Sequence, residues 1–309
     1  MTKEELQSKV QEYHNKAKEA GYDIFGTFLI GSQNYNLDIY SDDYTSDVDV
    51  MVVVLSTFDD VLYNRTPIQR IGYTGPIAGL DSQLHFLTFH EFMSDLIMQN
   101  IRRLEYLFTD YYVISKPYKE LYNKMRLHRE AIAKASPYLF ATSSVEFVKI
   151  TFASLVSPYY AKIAILGYNP KRLHHLARCG KIFNRYLNNE SFEDCLKFNG
   201  EERDELLMIK TGNLGISAKE AILRGENYMN NIQGIAELIK QQHPQEYENT
   251  AVLDYLRTIR DSVQKQALKL SIKPKVNYLE NIIDNIDGIV SSDDAEELIN
   301  NVDSVEADE

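Results

Sequence analysis

Residues 28–55 read FLIGSQNYNLDIYSDDYTSDVDVMVVVL, and the rest of the chain is organised around this stretch. It has an apolar approach, a Gly31-Ser32 pair that opens a polar loop, and a second apolar run that begins around Asp47 and Asp49. Side chains alternate between faces along a strand, so the two carboxylates should project to the same side, roughly 6–7 Å apart. The stretch therefore predicts two strands and a pair of carboxylates that face one cavity.

Apolar residues occupy both faces of the predicted second strand, residues 48–55, as in a strand that is buried on both sides. Two carboxylates at the start of such a strand are costly unless a positive charge lies between them. A divalent cation such as Mg²⁺ is the simplest candidate, because it binds one or two carboxylates together with substrate phosphate oxygens. Gly31 and Ser32 suit the phosphate side of such a site, since backbone N–H groups and a hydroxyl form an anion nest.

The residues of this stretch that make up a motif are Gly31, Ser32, Tyr35, Ser46, Asp47 and Asp49. They resemble the signature of the DNA polymerase β nucleotidyltransferase superfamily, which is Gly-Ser, a loop, and Asp-x-Asp on the next strand. The tyrosine and the serine make the pattern similar to the bacterial and phage branch associated with RNA-repair gene clusters. Two features depart from that branch. Asn36 stands in place of a second glycine, and the loop before the aspartates is a few residues longer.

The resemblance extends over residues 22–215. Its further residues are Asn100, Glu105, Lys171, His175, Arg178, Lys210 and Gly212. It implies an enzyme that moves a nucleoside monophosphate from an NTP to an acceptor hydroxyl with two Mg²⁺ ions, or Mn²⁺ in their place. The acceptor that it favours is an RNA 3′ end, and a protein or a small molecule stays open. Asp47 and Asp49 would be the metal ligands. The nucleotide would be bound by Gly31, Ser32, Tyr35, Lys171, His175, Arg178 and Lys210.

Lys171, His175 and Arg178 also form a pattern of their own, because their spacing places them on one stripe of a helix. Unpaired basic groups suit phosphate binding, with Arg offering bidentate contacts and Lys a point charge. A solvated helix face explains the spacing equally well. Asn100 and Glu105 likewise suit either a substrate contact or the hydrogen bonding of a helix end.

The superfamily's chemistry needs a third carboxylate on the neighbouring strand, which completes the metal site and helps to deprotonate the attacking hydroxyl. Counting back from the next predicted helix start puts Gln83 at that position. Asp81 lies on the same strand face and is the candidate replacement. A rival hypothesis is a catalytically lapsed nucleotide- or RNA-binding module on the same fold. Gln83 favours the rival, whereas Asp47 and Asp49 favour the enzyme.

The net charge of −12, from 45 Asp and Glu against 33 Lys and Arg, is concentrated at one end of the chain. Residues 280–309 hold 11 acidic residues and no Lys or Arg, which leaves 34 acidic against 33 basic residues in the first 279. An almost neutral body with a local basic surface is compatible with a nucleotide or nucleic-acid substrate.

Hydrophobic periodicity and capping signals predict strands early in the chain and helices after them. The predicted strands are 24–30, 48–55 and 83–87, and the predicted helices are 2–20, 92–108, 115–135, 144–166 with a bend at Pro158, 169–187, 201–210, 217–241 and 248–270. The expected fold is α+β, with a small mixed-sheet polymerase-β-type nucleotidyltransferase core over 1–115 and an all-helical substrate-binding domain over 116–290. Residues 291–309 are expected to be an acidic, disordered tail.

Neither secretion nor membrane insertion is indicated. Residues 1–10 contain no apolar stretch of the signal-peptide type, and the most apolar helical segment, 145–166, carries charges and a proline. Cys179 and Cys195 lack the spacing of a metal site. We therefore expect a reduced, cytoplasmic protein that does not bind membranes.

Overall fold

The computed structural model describes residues 1–41, 45–67, 84–156, 163–245 and 248–290 of the chain. Within them, a four-stranded mixed sheet is combined with helices, so the predicted α+β class is confirmed. The strands are β1 (Ile24–Leu29), β2 (Val50–Val54), β3 (Leu84–Thr88) and β4 (Tyr112–Ile114). The helices up to residue 153 are α1 (Lys3–Glu19), α2 (Phe58–Leu62), α3 (Phe89–Ile97), α4 (Ile101–Leu104), α5 (Lys119–Leu127), α6 (Arg129–Ala133) and α7 (Pro137–Ala153). Those after it are α8 (Ile163–Leu166), α9 (Pro170–Leu187), α10 (Phe192–Leu196), α11 (Gly200–Thr211), α12 (Ala218–Gln242) and α13 (Thr250–Val290). Short 3₁₀ turns cover Ser32–Tyr35, Glu105–Leu107 and Lys116–Tyr118.

The strands are arranged in the order β3-β2-β1-β4, and the candidate site lies at one end of the strands β1, β2 and β3, which is called the sheet edge below. β1 runs antiparallel to β2, so the residues that follow β1 lie beside those that precede β2. Leu29 pairs with Val50, and the N–H of Ile30 donates to the carbonyl of Asp49 over 2.9 Å. β3 runs parallel to β2, so its start lies at the same edge. The Gly-Ser loop, the two carboxylates and the start of β3 therefore meet there.

β2 is buried on both faces, as its sequence predicts. Met51 and Val53 belong to the large core, whereas Val50 and Val52 pack on the side of α1. The strand begins at Val50, two residues later than predicted. Both carboxylates consequently lie in the segment that leads into the strand, where the chain is more accessible than inside the sheet.

One hydrophobic cluster joins the sheet to the helices that follow it. Phe28 of β1 stacks on Phe92 of α3 and on Tyr106, with ring centroids 5.8 and 5.5 Å apart. The same cluster continues through α7, α9 and α12 to Ala267 in α13. Burying each large apolar side chain contributes about 1.5–3 kcal/mol, so the sheet and the helices around the site stabilise one another. The domain boundary expected after residue 115 stays a prediction.

Local capping signals set the starts of two helices, one of which begins beside the site. Thr88 and Glu91 form the predicted capping box at the start of α3. Asn169 caps α9, where its side chain accepts the N–H of Arg172, and Pro170 occupies the first turn. These local interactions fix where each helix begins, and α9 starts beside the candidate site.

The structure also corrects several predicted elements. The sequence misses β4, because three residues are too short to show a period. The helix predicted from Ser144 begins at Pro137, since Ser136 caps it, and Ser144 is buried inside α7. The helix predicted over 115–135 is divided into a 3₁₀ turn, α5 and α6. The bend at Pro158 and the acidic tail lie outside the described residues.

α13 is longer than predicted and returns to the sheet. It continues to Val290, whereas the sequence predicts an end near residue 270, and it packs against α3 and α2. No helix in the described ranges, α13 included, is long and apolar enough to cross a membrane.

Candidate functional site

A cavity of about 630 Å³ lies at the sheet edge where the Gly-Ser loop meets the two carboxylates. Nine of the ten predicted site residues line it: Gly31, Ser32, Tyr35, Asp47, Asp49, Lys171, His175, Arg178 and Lys210. The tenth, Asp81, lies outside the described residues. Among the described residues, six Lys and Arg and four Asp and Glu line the cavity. Within a chain of net charge −12, this local balance suits a polyanionic ligand.

Gly31 makes the turn after β1 possible. Its φ of 90° lies in the left-handed region, where a side chain is strained. A Cβ at this position would also lie 3.4 Å from Oδ2 of Asp49, so the turn passes close to that carboxylate. The 3₁₀ turn Ser32–Tyr35 follows, and the side chain of Asn34 donates to the carbonyl of Leu29 over 2.9 Å. The turn is thereby held against the end of β1.

Asn36 ends the turn in a backbone conformation that glycine also adopts easily. It has φ 58° and ψ 33°, a left-handed conformation that asparagine adopts more readily than most residues. Its carbonyl accepts the Nε–H of Arg203 over 2.8 Å, and its Nδ2 donates to Oδ1 of Asn199 over 3.2 Å. The end of the turn is therefore attached to α11 and to the residue before it.

Asp47 and Asp49 are the accessible carboxylates of the cavity, with 53% and 40% of their side chains exposed. Oδ2 of Asp47 lies 3.5 Å from Nζ of Lys171, and Oδ1 of Asp49 lies 3.6 Å from Nε2 of His85. The carbonyl of Asp47 accepts an N–H of Gln33 over 2.8 Å, which fixes the backbone between the two carboxylates and the turn. Exposed contacts of this length are weak, so both carboxylates can exchange them for a cation.

Lys210 attaches the polar loop to α11. Its buried Nζ donates to the carbonyl of Leu37 over 2.7 Å and to Oγ of Ser46 over 3.1 Å. Burial, together with the positive charges of Lys171 and Arg178, lowers the pKa of Lys210 to about 8. The sequence predicts a nucleotide contact for this residue, and the structure shows that two of its hydrogen bonds go to the loop in front of the carboxylates.

The basic stripe predicted on α9 faces the cavity, and its three members have different surroundings. Lys171 is exposed beside Asp47. Burial, and then the charge of Arg178, lowers the pKa of His175 well below its ordinary value, so its imidazole is neutral at pH 7. The guanidinium carbon of Arg178 lies 3.9 Å from the ring centroid of Tyr35, a cation–π contact. The stripe therefore carries two positive charges at neutral pH rather than three.

Asn100 and Glu105, for which the sequence leaves two roles open, differ in the structure. The side chain of Asn100 accepts the N–H of Arg102 over 3.0 Å and so caps α4. Glu105 is 7% exposed and contributes a buried carboxyl to the cavity. Burial raises the pKa of Glu105 to about 7, although the hydrogen bond from Tyr35 and the charge of Arg178 oppose the rise.

The donor set at the cavity mouth fits a hard divalent cation that also binds substrate. Asp47 and Asp49 supply two carboxylates, and Mg²⁺ commonly takes one or two carboxylates together with phosphate oxygens and water. In the part of the chain that the structure describes, no group of three or more His, Cys, Asp or Glu is arranged to hold a metal ion. The two carboxylates therefore suit an ion that protein and substrate bind jointly.

Sequence reasoning misses the residues that hold the polar loop in place. Arg203 donates to the carbonyls of Asn36 and Asp38, and Gln33 is buried beneath the loop. Arg203 and Lys210 lie seven residues apart on one stripe of α11, and this spacing is a signal in the sequence that could have identified them. Gln33 has no such signal, because its role depends on a carbonyl that is distant in sequence.

No protein-family model, curated protein or solved structure matches this chain. The geometry of the cavity is therefore the basis for assigning a function.

Proposed function

We propose that this protein is a nucleotidyltransferase that moves a nucleoside monophosphate from an NTP to an acceptor hydroxyl. The observation that carries the proposal is that the Gly31-Ser32 turn, Asp47, Asp49 and the basic stripe of α9 line one cavity. Each part suits one portion of an NTP. The turn suits the terminal phosphates, the carboxylates suit the metal that accompanies them, and the basic side chains suit the rest of the anion.

The roles of the residues follow from their places in the cavity. Backbone N–H groups of the turn and the hydroxyl of Ser32 bind the β- and γ-phosphates. Lys171 exchanges its 3.5 Å contact with Asp47 for a phosphate oxygen. Asp47 and Asp49 hold Mg²⁺ or Mn²⁺, which would stabilise the charge on the attacking oxygen and on the leaving pyrophosphate.

The reaction exchanges one bond to the α-phosphorus for another. The oxygen of the acceptor hydroxyl bonds to the phosphorus, and the bond from that phosphorus to the oxygen bridging it to the β-phosphate breaks. Pyrophosphate leaves, and the hydroxyl proton passes to a base. Asp81, two residues before Gln83 in the sequence, is the candidate base.

The dimensions of α9 support a nucleotide lying along it. At a rise of 1.5 Å per residue, Lys171 and Arg178 are roughly 10 Å apart along the helix axis, on the scale of a nucleotide from phosphate to base. The excess of basic side chains around the cavity also suits an acceptor that is itself a polyanion. An RNA 3′ end is therefore the favoured acceptor, ahead of a protein or a small molecule.

A nucleotide- or RNA-binding module without activity is the second candidate function. Among the described residues of β3, His85 is the one whose side chain approaches Asp49, at 3.6 Å. The transfer reaction needs a carboxylate on this strand, and a histidine does not supply one. Gln83 cannot act as a base in its place. Such a module would bind NTP through the turn and the basic stripe without turnover.

Incubation with each of the four NTPs, labelled at the α-phosphate, together with Mg²⁺ and total cellular RNA or protein, tests the proposal. We expect label to move to one acceptor class from one NTP and pyrophosphate to appear in equal amount. Equilibrium dialysis of the same NTPs is run in parallel. Binding without label transfer would support the module, and absence of both would overturn both functions.

Variants at the two candidate positions of the third carboxylate separate the two functions further. Asp81→Asn should slow transfer by roughly 10²–10⁴-fold, the usual contribution of a general base. Adding Gln83→Asp to that variant should restore transfer, because the sequence predicts that both positions lie on one face of the same strand. An active parent that is indifferent to Asp81→Asn would contradict the role of Asp81. An inactive parent that Gln83→Asp alone makes active would identify a lapsed enzyme.

A further inference from the structure

The inner wall of the cavity contains buried polar atoms without partners. Oε2 of Glu105, Nε2 of His174, Nδ1 of His175 and Nε of Arg178 have no hydrogen-bond partner among the described residues, whereas Nε of Arg103, at the same cavity, lies 2.9 Å from a carboxylate oxygen of Asp95. All four side chains line the cavity. Most buried polar atoms in folded proteins are paired, so a group of unpaired ones around one space needs an explanation.

A second cavity of the same volume, about 630 Å³, has no such atoms. It lies between α1, the sheet and α13, and residues such as Lys18, Lys116 and Pro274 line it. None of its described lining residues carries an unpaired buried polar atom. Of the two cavities, only the first therefore has unpaired buried polar atoms among its described lining residues, and a polar ligand that enters at the inner wall would satisfy them.

The inner wall offers hydrogen-bonding groups of two kinds. The carboxylate of Glu105 accepts, and the guanidinium of Arg178 only donates. Burial lowers the pKa values of His174 and His175 well below the ordinary value, so each neutral imidazole offers one donor and one acceptor. Tyr35 holds the carboxyl of Glu105 and the guanidinium of Arg178 in place, because its hydroxyl donates to Glu105 and its ring packs against Arg178.

We propose that this inner wall is the base subsite of the nucleotide site and that it selects guanine, so that the nucleotide bound is GTP. The inference rests on the proposed function. Guanine carries two adjacent N–H donors, on N1 and on the exocyclic amine, which one carboxylate accepts as a pair. Its neighbouring O6 accepts from a guanidinium or an imidazole. Glu105 accepts the two N–H donors, and Arg178 and His175 donate to O6. Adenine lacks the adjacent donors and the carbonyl.

The position of the subsite agrees with the phosphate end of the cavity. Arg178 lies two helical turns beyond Lys171, which approaches Asp47 at the mouth. A nucleotide whose phosphates lie at the Gly-Ser turn would therefore bring its base to the inner wall.

Equilibrium binding of GTP, ITP and ATP to the full chain, with Ca²⁺ in place of Mg²⁺ to suppress turnover, tests the inference without any variant. ITP differs from GTP only by the missing exocyclic amine. Because a good bidentate base contact discriminates by roughly 10- to 100-fold, GTP should bind at least about 10-fold more tightly than ITP and more tightly still than ATP. Equal affinities for GTP, ITP and ATP would overturn the guanine assignment and leave the proposed function standing.

Glu105→Gln tests the carboxylate directly. The amide cannot accept two N–H groups, so GTP affinity should fall roughly 10- to 100-fold while ITP affinity falls less. The amide donor suits the C2 carbonyl of xanthine, so the preference for XTP over GTP should rise. Glu237→Gln, which removes an exposed carboxylate paired with Lys240 on α12, is the matched control and should change no affinity. Loss of GTP, ITP, ATP and XTP binding in equal measure would mean that Glu105 serves the fold alone.

A second variant keeps the test independent of Glu105. Arg178→Lys keeps the positive charge and removes the guanidinium fork, and it should weaken GTP more than ATP. Equal weakening of GTP and ATP would contradict a contact between Arg178 and the guanine edge.

The pH dependence of binding gives another readout. Tyr35, Arg178, Arg102 and Arg103 are the charged or titratable groups around Glu105, whose pKa is about 7. The ionised carboxylate is the acceptor, so the ratio of GTP to ATP affinity should rise about 10-fold from pH 6 to pH 8 in the parent and stay flat in Glu105→Gln. The phosphates of GTP and ATP titrate alike, so their effect cancels in the ratio of the two affinities. A flat ratio in the parent would overturn the inference. Failure of every NTP to bind would overturn the proposed function with it, whereas guanine preference without label transfer would support the inference and favour the binding module.

Discussion

The two ends of the cavity hold carboxyl groups in opposite environments. At the mouth, Asp47 and Asp49 are 53% and 40% exposed, and their nearest basic side chains, Lys171 and His85, lie 3.5 and 3.6 Å away. At the inner wall, Glu105 is 7% exposed, and burial raises its pKa to about 7. Water screens the charges at the mouth, which can exchange their partners for a cation at little cost. A buried carboxyl is costly to ionise, so its placement is useful where a specific partner offsets that cost.

The difference follows from where each group lies in the fold. The two aspartates lie in the segment that leads into β2, at the sheet edge. Glu105 begins the 3₁₀ turn that follows α4, between Leu104 and Tyr106, both of which are buried in the large core. The same cavity thus has a solvated end suited to a metal and phosphates and a desolvated end suited to recognition.

Replacing the exposed carboxylates should have the largest effect on activity and almost none on stability. Under the proposed function, Asp47→Asn or Asp49→Asn removes a ligand of the metal. A catalytic metal supplies several kcal/mol of transition-state stabilisation, so transfer should fall on the order of 10³-fold or more. Surface substitutions usually change stability by less than about 0.5 kcal/mol, so thermal melting should match the parent.

The control is Asp254→Asn, which removes an exposed carboxylate paired with Arg257 away from the cavity. Label transfer and melting are measured side by side for the three variants. Full transfer by either Asp47→Asn or Asp49→Asn would exclude the metal site at the mouth.

The buried carboxyl should show the opposite behaviour in stability. Burial raises the pKa of Glu105 from 4.5 to about 7 in the folded protein. Between pH 4.5 and pH 7, the native state therefore keeps a proton that the unfolded state has released. Stability therefore falls as pH rises through this window, and Glu105→Gln lacks that fall. The variant should gain on the order of 3 kcal/mol over the parent at pH 8 and little near pH 4.5.

Urea unfolding at the two pH values measures the gain, and Asp47→Asn serves as the exposed comparison. A Glu105→Gln variant whose advantage is the same at both pH values would contradict the burial argument.

Short-range patterns explain why the mouth of the cavity is predictable. The Gly-Ser pair and the alternation along β2 each act within a few residues, and the antiparallel pairing of β1 with β2 brings them together. The stripe on α9 is likewise a local pattern. Ser136 and Ser144 show the limit of such signals, because both serines precede apolar residues and either could cap α7. Ser136 is the cap, and the signal that favours it is Pro137 in the first turn of the helix.

The inner wall and the supports of the loop depend on contacts between distant residues. Lys210 bonds to Ser46 and Arg203 to Asn36, pairs that are more than 160 residues apart. Nothing in the sequence near Glu105 predicts that it will be buried beneath Tyr35. Burial and pKa depend on packing that local patterns do not encode.

Lys210 tests whether the mouth depends on its distant support. In Lys210→Met the carbonyl of Leu37 and the hydroxyl of Ser46 lose their donor, which should cost roughly 1–2 kcal/mol at pH 7 and slow transfer by loosening the loop. The folded pKa of Lys210 is lowered to about 8 from 10.5, so its contribution to stability is complete above 10.5 and declines as pH falls through 8. The deficit of the variant should therefore widen from pH 8 to pH 10.5.

Unfolding is measured without metal, and Lys149→Met, an exposed position on α7, is the control. A deficit that does not change with pH would mean that the ammonium of Lys210 is not buried in solution.

Asn36 should give the smallest effect, because one backbone conformation and one exposed hydrogen bond to Asn199 are at stake. Its φ is 58°, and a left-handed conformation costs an ordinary residue about 1–2 kcal/mol, so Asn36→Ala should lose about 1 kcal/mol of stability while Asn36→Gly stays close to the parent. Asn64, with φ 47°, is the matched control, because it has the same kind of strain and does not line the cavity. Asn64→Ala should lose similar stability and keep NTP affinity, whereas Asn36→Ala should lose both, since its turn carries the residues proposed to bind the phosphates. Equal NTP affinity in the two alanine variants would show that the mouth tolerates a displaced turn, and the Gly-Ser loop would then contribute less to binding than the carboxylates do.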